Sequence, residues 1–484
     1  MRTTFAACGA ALLLAACKDP GTSGGPPLTQ LYFPAGIAHV DVPGKTEGVL
    51  FVSNANFDKR YATGSINALA LDQLGLPPLG SANDAGIASI TDLRLTETQS
   101  AQIASFAGEM AVQPIDPQTF RVFVPTRSEG MRVYRVQATL DAEGVPTLSC
   151  LGDDEERSHG QDCTELGASL SPREFEQSTT GVPRAPAPYG VSWANRACAV
   201  QADCGCEGTD CQRACTAGFC VGSDGAPLAD VFFTHQTQAD SPALSNLDFR
   251  AYLVRLESDT FSVGVDNFIN IGAGGSNSVA VYKGWAYLSG RILQPAPNLM
   301  RMVNRNGAVL SASLESFFRV SDSRGLAFSS DGQRLYMVGR VPDTLMVINV
   351  GTPDTVPFLS FVRGVSLPDA PNSVQIIPRA GKRDLAVITC TSGGSVAIYD
   401  DEVGDLVALV TGVGVQPYGL AIDQRGNSAR IYVSNFGDGR ISVIDIDDLD
   451  RPQLARLVAH LGAQQLCLTR GVNSPGCQST QVSP

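Results

Sequence analysis

Pro417-Tyr418-Gly419-Leu420-Ala421-Ile422-Asp423, a turn at Arg425-Gly426-Asn427, Arg430-Ile431-Tyr432-Val433-Ser434-Asn435, a second turn at Gly437-Asp438-Gly439 and Ile441-Ser442-Val443-Ile444-Asp445 make up one unit of this sequence. A last apolar run, Ala455 to His460, completes it. Each piece is short, rich in β-branched residues and bounded by Gly, Asn or Asp. Residues of that kind suit a pleated, half-buried strand, and the bounding residues tolerate tight turns. The unit therefore predicts a four-stranded antiparallel meander.

The unit recurs. Ser323-Arg324-Gly325-Leu326-Ala327-Phe328 leads through Asp331-Gly332 to Leu335-Tyr336-Met337-Val338 and then Leu345-Met346-Val347-Ile348. Pro371-Asn372-Ser373-Val374 leads to Leu385-Ala386-Val387-Ile388 and Ser395-Val396-Ala397-Ile398-Tyr399-Asp400. With Gly325, Ser373 and Gly419 as equivalent positions, the spacings are 48 and 46 residues, the length of one propeller blade. Weaker copies begin at Pro34-Ala35-Gly36, at Gly108 to Val112, at Pro188-Tyr189-Gly190 and at Asn277-Ser278-Val279, which makes seven.

Runs such as Ile431 to Val433 or Leu385 to Ile388 are apolar on both faces of a strand, so each sheet needs cover on two sides. A ring of sheets supplies that cover and leaves only short outer edges. The expected fold is all-β: a seven-bladed β-propeller over residues 31–461, with its surplus length in insertions placed mainly before Arg319.

These repeats resemble the YVTN family of bacterial propellers. The namesake tetrapeptide stands here as Tyr432-Val433-Ser434-Asn435 and, with Phe for Tyr, as Phe51-Val52-Ser53-Asn54. The Pro-x-Gly opening and Ser442-Val443-Ile444-Asp445 also match. The resemblance covers about Asp322 to His460 well and the rest loosely. It implies a fold much more than an activity, since propellers host many functions.

The N-terminus carries an export pattern. Arg2 precedes the apolar stretch Phe5 to Ala16, which ends Leu14-Ala15-Ala16-Cys17 and is too short to span a bilayer. That ending resembles the bacterial lipobox, which implies cleavage after residue 16, lipidation of Cys17 and a membrane held through the anchor. An ordinary secretory signal with a chance cysteine is the plainer alternative. Lys18 to Pro27 is rich in Gly, Pro and Ser, so 17–30 reads as a flexible lipidated tether. Lys18, by the same resemblance, favours the outer membrane.

Composition sets further bounds. The chain has 484 residues, 43% hydrophobic and 17% charged, with 49 Gly and 29 Pro, which favours many strands and turns over long surface helices. The net charge of −13 and the lack of a basic cluster argue against nucleic acid. No 18-residue apolar run marks a transmembrane helix.

Eleven cysteines remain beyond Cys8 and Cys17. In an exported chain, Cys198, Cys204, Cys206, Cys211, Cys215 and Cys220, inside an insertion at 196–222, read as a disulfide framework. Fifteen pairings are open. A thiolate metal site is the weaker alternative, since no His lies within the segment. Cys150 with Cys163, and Cys467 with Cys477 in a tail at 462–484, form local pairs. Cys390 ends an apolar run and reads as a buried free thiol.

Catalytic constellations are thin. His39, His159, His235 and His460 are not at metal-ligand spacing, no Gly-x-Ser-x-Gly elbow occurs, and no cofactor motif is present. Gly272 to Gly275 lies between strands and reads as a turn. Asp445, Asp447, Asp448 and Asp450 lack the Gly and Glu of a calcium loop and read as a solvated strand end. Two tryptophans, Trp193 and Trp285, are too few for Trp-repeating quinone propellers. No metal or cofactor is expected.

In a propeller, the approach to the innermost strand and the loop between the second and third strands share one face. That places Phe33, Tyr189, Arg324, Asn372 and Tyr418 around the central funnel. Asn54, Thr126, Arg127, His235, Arg340, Thr391, Asn435 and Phe436 form an outer ring. Arg127, Tyr189, Arg324, Asn372, Tyr418 and Asn435 are the candidate ligand-binding set, suited to anionic or planar ligands. The plainer reading is that the tyrosines pack between blades and the arginines pair with neighbouring carboxylates. The expected role is a non-catalytic binding or assembly scaffold of the cell envelope, with a protein or envelope component as partner. The rival is a lactonase-like hydrolase acting at the funnel.

Overall fold

A computed structural model describes residues 24–80, 86–128, 131–152, 160–170, 187–204, 213–222, 225–235, 251–272, 274–290, 299–313, 320–351 and 357–465. The chain is an all-β propeller of seven blades. Blade 1 comprises Pro34–Val40, Val49–Asn54, Gly64–Ala70 and Ser100–Ile103. Blade 2 comprises Ala111–Asp116, Thr119–Pro125 and Arg132–Leu140, and its outer edge is shared by Pro146–Cys150 and Ala168–Ser169. Blade 3 comprises Pro188–Asn195, Ala229–His235, Ala251–Glu257 and Phe268–Gly272. Blade 4 comprises Val279–Tyr282, Trp285–Leu288, Leu299–Asn304 and Val309–Ser313. Blades 5 and 6 run Ser323–Phe328, Arg334–Arg340, Asp343–Val350, Leu359–Ser366 and then Pro371–Ile377, Leu385–Cys390, Ser395–Asp400, Asp405–Val410. Blade 7 comprises Pro417–Arg425, Ser428–Asn435, Arg440–Ile446 and Arg456–Leu461.

The core lies between blades, as strands apolar on both faces require. Val49–Asn54 and Leu385–Cys390 are buried at every position. Each buried Val, Leu or Ile side chain contributes roughly 1.5–3 kcal/mol of transfer free energy, so stacking sheet on sheet is the main source of stability.

The repeat motif has a steric cause. Innermost strands converge on the axis, and the glycine of each Pro-x-Gly, like that of Phe106-Ala107-Gly108 in blade 2, sits where one strand touches the next. A Cβ on Gly108 would stand 2.4 Å from the Tyr189 carbonyl oxygen, on Gly419 2.5 Å from that of Ala35, and on Gly190 2.6 Å from that of Asn277. No side chain fits at such distances. At the same level the pairing with the second strand shifts by a bulge in blades 1, 3, 5, 6 and 7. A bulge leaves an N–H without a ladder partner, and the second strand's Ser or Thr accepts it. Gly36 N donates to Ser53 Oγ at 2.8 Å, Gly190 N to Thr234 Oγ1 at 3.0 Å, and Gly419 N to Ser434 Oγ at 2.9 Å. The Ser434 hydroxyl then donates to Ala35 O of blade 1 at 2.9 Å, and the Thr389 hydroxyl of blade 6 to Tyr418 O of blade 7 at 2.9 Å. The Ser of Tyr-Val-Ser-Asn is thus a rivet between neighbouring blades.

First and last blades are each continuous in sequence, and the ring closes by other means. Ala88–Ile90, from the loop before the outer strand of blade 1, adds in parallel to the outer edge of blade 7. Glu47 of blade 1 accepts Arg425 Nη2 at 2.9 Å and Arg430 Nη1 at 2.7 Å. Arg430, fully buried, also grips Asp445 through Nε at 2.7 Å and Nη2 at 2.8 Å. This corrects the expectation of a solvated strand end for Asp445, which is 1% exposed. Its position at the end of a strand hid a partner supplied by the neighbouring strand. Asp447 pairs with Arg456 at 3.0 Å and Asp450 with Lys382.

The disulfides join Cys150 to Cys163, Cys198 to Cys215 and Cys204 to Cys220. Cys390 is a buried free thiol whose pKa burial pushes up to about 12. Cys17, Cys206, Cys211, Cys467 and Cys477 lie outside the described residues. The cysteine insertion, with its hairpin Ala214–Thr216 and Phe219–Val221, leaves between the first and second strands of blade 3. Those loops occupy the face opposite the funnel residues. Arg305 of blade 4 ties the insertion down by donating to Ala197 O at 2.9 Å and Asp203 O at 2.7 Å. No helix among the described residues is long and apolar enough to cross a membrane.

Candidate functional site

The approach to the innermost strand is strained in a repeating way. Phe33, Ala370 and Gln416, each just before a proline, have φ of 52°, 56° and 56°, and Phe106 has 61°. Non-glycine residues in this left-handed region cost on the order of 1–3 kcal/mol each. The strain is compensated by a fixed bond from the end of the second strand. Ala55 N donates to Phe33 O, Arg127 N to Phe106 O, Thr391 N to Ala370 O and Phe436 N to Gln416 O. The backbone that carries the mouth of the funnel is therefore rigidly placed before any side chain is considered.

On that frame Tyr189 of blade 3 and Tyr418 of blade 7 reach toward each other, and their hydroxyls are hydrogen-bonded. Blades 3 and 7 lie on opposite sides of a seven-membered ring, so this pair bridges the axis. The guanidinium of Arg127 lies 5.3 Å above the Tyr189 ring, a cation–π distance. Burial first, then the neighbouring Tyr418 and Glu109, hold the Tyr189 phenol well above its ordinary pKa, so it stays a neutral donor.

Two more arginines come from blade 5. Arg324 is held by Asp322 through Nε at 3.0 Å and Nη2 at 2.7 Å, with Asn277 Oδ1 3.5 Å from Nη1. Arg340 donates Nε to Pro371 O at 3.0 Å and Nη2 to Asn372 Oδ1 at 2.9 Å. Among the described residues no carboxylate lies within ion-pair distance of Arg340. Burial, followed by repulsion from Arg324, pulls its pKa down. Asn372 is in turn fixed by donating Nδ2 to Tyr418 O at 3.3 Å.

Five of the six candidate residues, Arg127, Tyr189, Arg324, Asn372 and Tyr418, thus stand at one mouth, and Arg340 of the expected outer ring joins them. Asn435 does not. It is fully buried and donates Nδ2 to Val413 O at 3.1 Å and Ser442 Oγ at 2.8 Å, so it ties strands of blade 7 together. Asn54 makes the same serine bond in blade 1, donating to Ser65 Oγ at 2.9 Å, and there its Oδ1 accepts Tyr32 N at 2.9 Å. The motif asparagine is structural for the same reason as the motif serine. His235 is also fully buried, its ring 2.9 Å from Tyr252 O through Nδ1, and burial pulls its pKa down to about 4.

Behind the tyrosine bridge the innermost strands of all seven blades line an open axial chamber of about 290 Å³. Among the described residues one acidic side chain lines it, Glu109, which accepts Ser278 Oγ at 3.2 Å. Burial raises its pKa to about 8 against the opposing bonds from Ser278 and the Val191 backbone. Glu109 was missed in the sequence, although a signal was present. Aligned on the repeat glycine or serine, the next residue is Ile37, Val191, Val279, Leu326, Val374 or Leu420 in six blades and Glu109 in blade 2. A larger cleft, about 810 Å³, opens on the opposite face between blades 4, 5 and 6. Its buried charges are paired internally, Arg334 with Asp401, and Asp384 with the Ser330 hydroxyl at 2.9 Å.

No family model matches the chain, and no curated protein matches it. Solved structures similar to it include a candidate 6-phosphogluconolactonase from Bacteroides fragilis, 13% identical, with 77% of this chain and 82% of that one covered and a TM-score of 0.41. A second candidate 6-phosphogluconolactonase, from Bacteroides uniformis, is 14% identical over 75% and 82%, with a TM-score of 0.40. Hydrazine synthase from Kuenenia stuttgartiensis is 12% identical over 88% and 98%, with a TM-score of 0.49. At such identities and scores these likenesses carry no functional argument, and the fold rests on the seven blades themselves.

Proposed function

We propose that this chain is an exported, lipid-anchored binding propeller of the cell envelope whose mouth takes a small anion, a carboxylate or a phosphate. One observation carries the reading: Arg340 is desolvated beside Arg324 and has amide and carbonyl partners but no carboxylate of its own among the described residues. A half-buried cation with no carboxylate at ion-pair distance is costly, and a ligand anion relieves that cost. The tyrosine pair and Arg127 add a planar aromatic wall beside it. An anchor at Cys17, which the Leu14-Ala15-Ala16-Cys17 pattern would supply, fits a scaffold role, and the disulfide-stapled part of the insertion, turned away from the mouth, would be available to a protein partner.

The test is a thermal-shift and calorimetric titration with inorganic phosphate and with benzoate, on wild type and on Arg340→Ala. At least one anion should stabilise the wild type, and neither should stabilise the variant. No response in the wild type, or an unchanged response in Arg340→Ala, sinks the reading. Ring opening of a lactone by the wild type that disappears in Arg340→Ala would move the mouth from binding to catalysis.

A further inference from the structure

We infer that the axial chamber is a second site, separate from the arginine mouth, that binds a small organic ammonium ion against Glu109. The inference does not rest on the anion-binding reading.

Three observations lead there. The repeat reserves this position for Ile, Val or Leu, and blade 2 alone places a carboxylate in it. The chamber has room for a small molecule, and Glu109 is the only charged side chain among the described residues that line it. Its carboxylate receives a hydroxyl and a backbone N–H, and no cation reaches it among the described residues. A carboxylate drawn partly out of water holds its proton more tightly, and a positive charge brought beside it relieves that cost. Burial holds the proton on Glu109 up to a pH of about 8, so the empty chamber is close to neutral and a cation must displace that proton.

The walls select the kind of cation. Calcium demands six or more oxygen ligands, magnesium an octahedral shell of them, and zinc several His, Cys or carboxylate ligands together. The chamber offers one carboxylate and a few hydroxyls, and the amide of Gln375 already donates to Leu420 O at 2.7 Å. The remaining wall mixes polar groups, Asn372 and Ser373 among them, with the apolar side chains of Met110 and Leu326, and Tyr189 and Tyr418 bring aromatic rings to its mouth-side end. One carboxylate, the apolar contacts of Met110 and Leu326 and two aromatic rings suit a small alkylammonium, which needs a single counter-charge, some apolar contact and a ring face, and whose N–H groups can use the polar part of the wall. No net chemistry is involved. The proton on Glu109 leaves to buffer as the ammonium enters.

The probe is butylammonium chloride, titrated calorimetrically into the full chain between about pH 6.5 and pH 9, with 1-butanol as its neutral counterpart. Affinity should rise about tenfold per pH unit below pH 8 and level off above it, with about one proton released per cation bound below that point. Glu109→Gln should lose at least about tenfold in affinity and all of the proton release, while the weak binding of butanol stays the same in both proteins. Ser278→Ala, which removes a donor to the carboxylate and is the milder change, should move the pH midpoint upward and keep the plateau affinity. Arg340→Ala should leave butylammonium binding unchanged, which separates failure here from failure at the mouth. The inference is overturned by butylammonium binding that ignores pH, by equal affinity in Glu109→Gln, or by no binding to the wild type at any pH. Potassium chloride that displaces the amine at equal concentration would also overturn it, since the occupant would then be an inorganic ion.

Discussion

The two faces of the wheel use arginine in different ways. On the face that carries the cysteine insertion, Arg196 lies 2.6 Å from Glu257 and beside Asp230, Arg334 meets Asp401, and Arg430 is clamped between Asp445 and Glu47. Each is matched to carboxylates from its own or a neighbouring blade. At the centre of the other face, Arg127 lies over an aromatic ring and Arg340 over carbonyl and amide oxygens. The same residue type closes a ring in one place and, at Arg340, meets only neutral oxygens among the described residues in the other, beside an Arg324 that Asp322 neutralises.

Breaking a structural pair should have the largest effect. Arg430→Ala strands Asp445 and Glu47 in the interior and should cost about 3–5 kcal/mol, read as a lower midpoint in chemical denaturation; a loss under 1 kcal/mol would erase the contrast between the faces. Next, replacing Cys204 and Cys220 together by Ser frees a loop with a sequence separation of 16 and should cost about 3 kcal/mol. Anion binding at the mouth, measured by calorimetry, should persist, because the insertion sits on the far face.

The third prediction concerns acid. His235 is neutral in the fold with its pKa lowered from 6.5 to about 4, whereas the unfolded chain takes up the proton at 6.5. In that window the unfolded state binds more protons, so stability is full above pH 6.5 and is lost as the pH falls toward 4. The loss should be on the order of 2 kcal/mol, and His235→Gln should flatten it in denaturation curves taken at about pH 7 and pH 4.5. The smallest stability effect belongs to the mouth. Arg340→Ala should shift stability by no more than about 1 kcal/mol while removing anion binding. A large destabilisation with binding retained would make Arg340 one more structural arginine.

Much of the fold was legible because its cause is local and repeated. Gly419, Ser434 and the turn at Gly437 to Gly439 carry their instructions within one blade, and the spacing of those instructions gives the ring. The mouth was half legible for the same reason: Tyr189 and Tyr418 follow the repeat proline, and loop position alone puts Arg127 and Arg324 on one face. Asn435 was misjudged because the sequence gives a residue's place along a strand and not the direction in which its amide finds partners. Asp445 was misjudged in the same way, since its buried partner Arg430 lies on the adjacent strand.

Periodicity of apolar runs and turn residues determined the class of fold and the number of sheets, because burial on two faces is a property each strand carries in its own composition. Which charges are neutralised and which are left open was decided only when seven blades met around an axis. Pairing depends on distances between residues as far apart in the chain as Glu47 and Arg430, or Tyr189 and Tyr418, and no local pattern encodes those distances.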